Sequence, residues 1–169
     1  MVIKTWEIDR QNGELEFNYT EDLGYLANEQ QQISAISPVT VVGSLSKIEN
    51  YYMLNGRVEV EITYDCSRCL QTFTKTESNR FSEIFYLDMD ESNFDGEQSY
   101  TKIEDNEINI KPIVEEAVAI LVPYIPICNE ECKGLCATCG IDLNIESCAC
   151  TNERIDSRLA GLAGWFTKD

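Results

Sequence analysis

Residues 58–69 read V-E-V-E-I-T-Y-D-C-S-R-C, and this stretch decides the fold. Val58, Val60, Ile62 and Tyr64 alternate with Glu59, Glu61 and Thr63. That is the period of a strand with one face on a core and the other in water. Cys66 and Cys69 follow at once, two residues apart, where a turn is expected before another strand near Leu70. The expectation is a β-rich chain with cysteines at a hairpin tip.

The pattern weakens on either side of that stretch. Val39, Val41, Val42 and Leu45 are apolar and largely β-branched, as a core-facing strand requires. Asn55-Gly56 reads as a tight hairpin turn or a bulge. Residues 71–75 and 81–87 are two further candidate strands. Upstream, Leu15 and Phe17 alternate with Glu14, Glu16 and Asn18 as a short strand, and residues 21–32 form a helical turn or loop. Downstream, Pro112 sits where a helix can begin, and Val114, Ala117, Val118 and Leu121 make one apolar face before Pro123 and Pro126 stop it. Ile155, Leu159, Leu162 and Phe166 repeat the helical spacing near the C-terminus, and Trp165 and Phe166 are expected to dock on the core.

Composition narrows the chemistry. The chain has 169 residues, 43% of them hydrophobic, enough for one domain with a small appendage. It has no histidine, which removes Ser-His-Asp triads, Cys-His dyads and histidine metal ligands. Thirty acids against 13 bases give a formal charge of −17, which argues against simple electrostatic capture of nucleic acid. The acids from Asp88 to Glu107 face one base, Lys102, and read as a solvated loop or a docking surface for a basic partner. They lack the ligand spacing of a calcium loop. Neither a signal peptide nor a membrane-spanning run is visible, so a soluble protein of a reducing cytoplasm is expected.

All eight cysteines fall in two clusters. Cys66 and Cys69 form the first; Cys128, Cys132, Cys136, Cys139, Cys148 and Cys150 fall within 23 residues and form the second. A two-residue spacer lets two thiolates reach one ion from a single turn, and zinc takes four such ligands. Gly140 directly after Cys139 fits the sharp turn of a metal knuckle, in which backbone N–H groups point at sulfur. A disulfide framework conflicts with the reducing compartment. An iron–sulfur protein calls for a tighter run of cysteines, and a thioredoxin-like pair for a helix N-terminus. Two closed four-sulfur zinc sites are therefore expected. They leave no position open for catalytic water, and they would take the charge to about −21. Loop-closure entropy favours a local site of Cys136, Cys139, Cys148 and Cys150, with Cys66 and Cys69 joined by Cys128 and Cys132. Pairing 66/69 with 136/139 as a split ribbon is the alternative.

Four segments together resemble the YceD family: C-S-R-C-L at 66–70, L-V-P-Y-I-P-I-C at 121–128, C-K-G-L-C-A-T-C-G-I-D-L-N at 132–144 and D-S-R-L-A-G-L at 156–162. Members are called large ribosomal RNA subunit accumulation proteins. The resemblance implies a bacterial cytoplasmic protein supporting accumulation or processing of large-subunit ribosomal RNA, with no assigned reaction.

The expected architecture is α+β: an antiparallel sheet that can curl into a barrel-like form, with one or two helices and a cysteine-rich, zinc-binding C-terminal segment. Residues 1–127 would form the mainly β domain with a helix near 112–122, and 128–169 the zinc segment with a C-terminal helix packed on it. The expected function is that of a non-catalytic accessory factor in ribosome assembly. It would bind a large-subunit precursor or a basic ribosomal protein, with Arg68 and Lys133 as candidate partner contacts. A thiol redox protein using Cys66 and Cys69 is one alternative. The other is a zinc-knuckle RNA binder using Tyr51, Tyr52, Phe73 and Phe81 as stacking platforms, although these aromatics also suit a β core.

Overall fold

The computed structural model describes residues 1–28, 31–87 and 100–150. The chain runs β1 (Val2–Lys4), α1 (Thr5–Arg10), β2 (Glu14–Glu21), a 3₁₀ turn (Gly24–Leu26), β3 (Ile33–Ile36), β4 (Val39–Ile48) and β5 (Tyr51–Asp65). It continues through β6 (Thr72–Tyr86), β7 (Tyr100–Lys102), β8 (Glu107–Asn109) and α2 (Lys111–Ala119). The α+β class holds. The main sheet has the order β2-β4-β5-β6-β7, with β3 also paired to β5, and β2 does not pair with β7. Among the described residues it is thus an open sheet and not a closed barrel. All its pairings are antiparallel except β6 with β7.

Alternation along β5 sends Tyr52, Leu54, Val58, Val60, Ile62 and Tyr64 inward, all at most 2% exposed. Val39, Val41 and Leu45 of β4 and Leu15 and Phe17 of β2 join them on the same face. Helix α2 closes over this face with Val114, Ala117 and Val118 buried, and Asn79 Nδ2 donates to Ala117 O at 3.1 Å. The helix ends at Ala119, earlier than the apolar pattern implied; Leu121 and Val122 still pack on the core from the turn beyond it. Among the described residues no helix is long and apolar enough to cross a membrane.

Three readings of the sequence change. Asn55-Gly56 is neither turn nor bulge but the middle of β5, where Gly56 lies opposite Gly43 of β4. The reversal is the two-residue turn Glu49-Asn50, with Glu49 at φ +52°. The two candidate strands at 71–75 and 81–87 are one strand, β6, paired with β5 from Asp65↔Thr72 to Tyr51↔Tyr86. Its polar middle hid the continuity, because the inward positions there are held by Glu77 and Asn79. Thirdly, the acidic stretch ends in short strands β7 and β8. Its residues 88–99, like the expected C-terminal helix with Trp165 and Phe166, lie outside the described residues.

Tyr19 lies half-buried in β2, and its hydroxyl has no hydrogen-bond partner among the described residues. Burial, reinforced by the charge of Glu21, pushes its pKa up to about 12. The folded state thus holds the proton more tightly than the unfolded chain, whose tyrosines ionise near 10. This stabilisation is complete below pH 10 and is lost as pH rises from 10 through 12. Tyr19→Phe is expected to leave stability at pH 7 within about 1 kcal/mol of the parent. It should also shift alkaline unfolding to higher pH, as read by thermal melts at pH 8 and pH 11. An unchanged alkaline limb would show that Tyr19 does not titrate in unfolding.

Candidate metal centres

The tip of the β5–β6 hairpin is a six-residue loop, Cys66 to Gln71, and its backbone is closed by two hydrogen bonds. Cys66 N–H donates to Gln71 O and Leu70 N–H to Cys66 O, both at 2.9 Å. The second C-x-x-C repeats the pattern: Cys136 N–H donates to Ile141 O and Gly140 N–H to Cys136 O, again at 2.9 Å. In both loops the residue after the second cysteine is left-handed, Leu70 at φ +59° and Gly140 at φ +75°. Glycine takes that conformation without strain; leucine does not. Leu70 is 64% exposed and gains little from packing. Leu70→Gly is therefore expected to stabilise the protein by up to about 1 kcal/mol. A urea midpoint at or below the parent's would contradict the strain argument.

The loops bring the eight sulfurs into two groups. Cys66, Cys69, Cys128 and Cys132 form one, and Cys136, Cys139, Cys148 and Cys150 the other, with all ligand atoms of a group within 4.8 Å of one another. The split-ribbon pairing of 66/69 with 136/139 does not occur. In the first group Cys66 Sγ lies 3.9 Å from Cys132 Sγ, and Cys69 Sγ 3.7 Å from Cys128 Sγ. The edge of a tetrahedron of sulfurs around zinc, with bonds of about 2.3 Å, is about 3.8 Å. The donor set and its spacing therefore fit a four-thiolate ion.

Burial differs between the groups, and the electrostatics repeat. Cys66, Cys69 and Cys132 are buried, whereas Cys139 is exposed. Burial raises the Cys66 pKa, but backbone N–H groups of Cys128, Cys69 and Arg68 outweigh it and hold the thiol at about 6. Two of these donors, Arg68 N–H and Cys128 N–H, lie 3.4 Å from the sulfur. Cys136 is likewise held at about 6 by the N–H groups of Cys139 and Thr138. Cys128 is pushed up to about 12 by burial and by its sulfur neighbours, and Cys150 to about 12 by Cys139 and burial. Each group thus has one sulfur prepared as a thiolate and others whose negative charge is unfavourable so close by. A cation at the centre relieves that repulsion.

The two groups are tied together. Ser67 N–H donates to Pro126 O at 2.9 Å, pinning the hairpin tip to the segment after α2. Arg68 reaches across the first group, with Nη1 donating to Cys132 O at 2.9 Å and Glu130 O at 3.3 Å. Its own carbonyl accepts from Leu135 N–H at 3.0 Å. Gly134, at φ +73°, leaves room for that approach, since a Cβ there would stand 2.9 Å from Arg68 O. Asn144, between Cys139 and Cys148 in sequence, sends Nδ2 to Cys132 Sγ at 3.5 Å and accepts from Lys133 N–H at 2.8 Å. The second loop thereby carries a hydrogen-bond donor for a sulfur of the first. Sequence reasoning missed Asn144; its place four residues before Cys148, in a stretch rich in turn formers, was the available signal. Of the two candidate partner contacts, Arg68 is engaged within the fold, and Lys133 is exposed. The aromatics considered for stacking are mostly core: Tyr52 is buried, Phe73 packs on Tyr64 at 5.5 Å between ring centroids, and Phe81 packs over Gly56.

The fold and site define a small open-sheet protein with two four-cysteine clusters, one stapling its longest hairpin to the segment that follows α2. Residues 54–165 match the family described as large ribosomal RNA subunit accumulation protein YceD, and the chain belongs to that family. It is similar to an uncharacterized protein of Mycobacterium tuberculosis, 29% identical over 111 residues covering 65% of this chain and 53% of that one. It is also similar to the chloroplastic YCED homolog 1 of Zea mays, 27% identical over 159 residues, covering 77% and 54%. The uncharacterized protein YlbN of Bacillus subtilis is 27% identical over 155 residues, covering 91% and 89%. The chain spans about half the length of the mycobacterial protein and of the maize homolog. No solved structure matches significantly.

Proposed function

We propose that this chain is a zinc-stabilised, non-catalytic accessory protein of the cytoplasm that supports accumulation of large-subunit ribosomal RNA. It does so by binding a precursor particle or a basic ribosomal protein. The observation that carries the reading is the gathering of all eight cysteines into two groups of four. Histidine is absent and every ligand is sulfur, which suits zinc in closed structural sites. Cys66, Cys69, Cys128 and Cys132 would hold one ion, and Cys136, Cys139, Cys148 and Cys150 the other. Zinc there acts as a cross-link, and its binding energy is folding energy. The ribosomal part of the reading rests on the family and on the names of its plant members. A charge of −17 makes a basic ribosomal protein a complementary partner, whereas Lys133, exposed at the rim of the knuckle, would suit an anionic group on a precursor particle. In this reading residues 1–127 are the body, and 128–169 the zinc segment docked on it.

Burial of Cys66, at 0% exposure, weighs against the redox alternative, because an oxidant needs access to the thiolate. The test pairs metal analysis of the purified full chain with sedimentation of lysate from cells expressing a tagged copy. Near two zinc per chain and comigration with large-subunit precursors are expected. A metal-free protein with reactive thiols, confined to the free fraction, overturns the reading.

A further inference from the structure

On the face of the sheet turned away from the core, Arg57 of β5 and Arg80 of β6 stand directly opposite each other. Like charges at opposed positions of an antiparallel pair destabilise it. The chain has only 13 basic residues among 43 charged ones, so two of them meeting by register at the middle of its longest hairpin calls for a physical reason. Arg57 has partial relief from Glu59 at 3.7 Å and donates to Ser78 Oγ at 3.1 Å. Arg80 has no acidic partner among the described residues, and its side chain is exposed. The two guanidinium groups line a shallow depression of about 500 Å³ with Thr40, Val42, Asn55, Gly56 and the Glu59 that pairs with Arg57. Helix α2 bonds to Asn79, which points to the opposite face, so this depression opens outward.

We propose that this depression binds a phosphodiester of single-stranded RNA between Arg57 and Arg80. Two planar guanidinium forks can share one phosphate, each offering paired N–H donors, and the anion turns a repulsive pair into a bridged one. Thr40, Asn55 and Ser78 beside them are side chains able to bond phosphate and ribose oxygens. The choice of RNA over another polyanion rests on the family reading above. The overall charge of −17 opposes long-range attraction. Affinity must then come from this local site, and its loss on removing either arginine should exceed that from an equal charge change elsewhere.

The experiment measures anisotropy of a labelled single-stranded oligouridylate with the metal-loaded full chain, and with Arg80→Thr, Arg57→Thr and the control Lys102→Thr. Either arginine substitution is expected to weaken binding about tenfold, from loss of a charge-assisted contact. The control, which removes one positive charge from exposed β7, should change binding less than twofold. Arg80→Thr should also melt no lower than the parent, because it removes the like-charge pair. No RNA binding by the parent chain, or equal weakening by Lys102→Thr, overturns the proposal. Cosedimentation with large-subunit precursors alongside either result would leave the accessory-protein reading standing and remove only this site. Tighter capture of a carboxylate-rich peptide than of RNA at these arginines would also overturn it.

Discussion

Cys66→Ser is expected to abolish one of the two metal equivalents and to unfold the tip of the β5–β6 hairpin together with the segment docked on it. Cys66 Sγ accepts N–H groups from both sides of that junction, Arg68 on the hairpin and Cys128 on the segment after α2. It is fully buried, so a serine hydroxyl would face buried sulfurs without the charge that draws them to an ion. Structural zinc contributes roughly 10–16 kcal/mol of binding in small metal domains. A typical domain has about 5–15 kcal/mol of net stability. Losing even a third of the metal term, about 3–5 kcal/mol, therefore lowers the melting temperature by roughly 6–20 °C in a chain of this size. Cys139→Ser tests the same chemistry where the ligand is exposed. It should also cost one metal equivalent while leaving the sheet's melting transition nearly in place, because β5 and β6 do not end in that group. Metal content and thermal melts of the two variants side by side decide the matter. Two full metal equivalents in Cys66→Ser, or equal thermal loss in both, would contradict the assigned roles.

The difference between those variants also marks what the sequence could and could not disclose. Ligand spacing was legible because metal chemistry demands a local turn, and C-x-x-C followed by a left-handed residue is such a turn. The pairing of Cys66 and Cys69 with Cys128 and Cys132 was legible only as the cheaper loop closure. What enforces it is tertiary: Ser67 bonds Pro126, and Arg68 bonds Cys132 and Leu135. The strand at 58–64 announced itself by alternation, and the helix by its apolar face. The short strands β1, β7 and β8 carry three residues each, too few for a period to show. The middle of β6 was hidden for another reason. Its inward positions face the rim under α2, where Asn79 serves the helix by donating to Ala117 O, so a polar residue took a place that pattern reading reserves for an apolar one.

Glycine in the middle of a strand misled the reading most, and it supplies the second large effect. Gly43 and Gly56 face each other across β4 and β5, on the core side of the sheet. A Cβ on Gly56 would lie 2.3 Å from the Phe81 ring Cζ. A Cβ on Gly43 would lie 2.5 Å from Asn55 O and 2.9 Å from Gly56 Cα, as well as 2.7 Å from the Phe17 ring. Two phenyl rings therefore fill the space that two side chains would have taken, and the glycines are the condition for their packing. Gly43→Ala and Gly56→Ala are each expected to destabilise by about 3 kcal/mol, the upper range for overpacking a core. The obstacles differ, and so should the response to a second change. At Gly56 every close atom belongs to the Phe81 side chain, so Phe81→Leu added to Gly56→Ala should recover about 1 kcal/mol or more. At Gly43 the closest atom is backbone of the neighbouring strand, which cannot retreat without breaking the β4–β5 ladder. Phe17→Leu added to Gly43→Ala should therefore bring no recovery, and the two losses should add. Urea unfolding of the four single and two double variants gives both coupling energies. Rescue at Gly43 equal to that at Gly56 would mean that the rings alone, and not the close approach of the two strands, require glycine there.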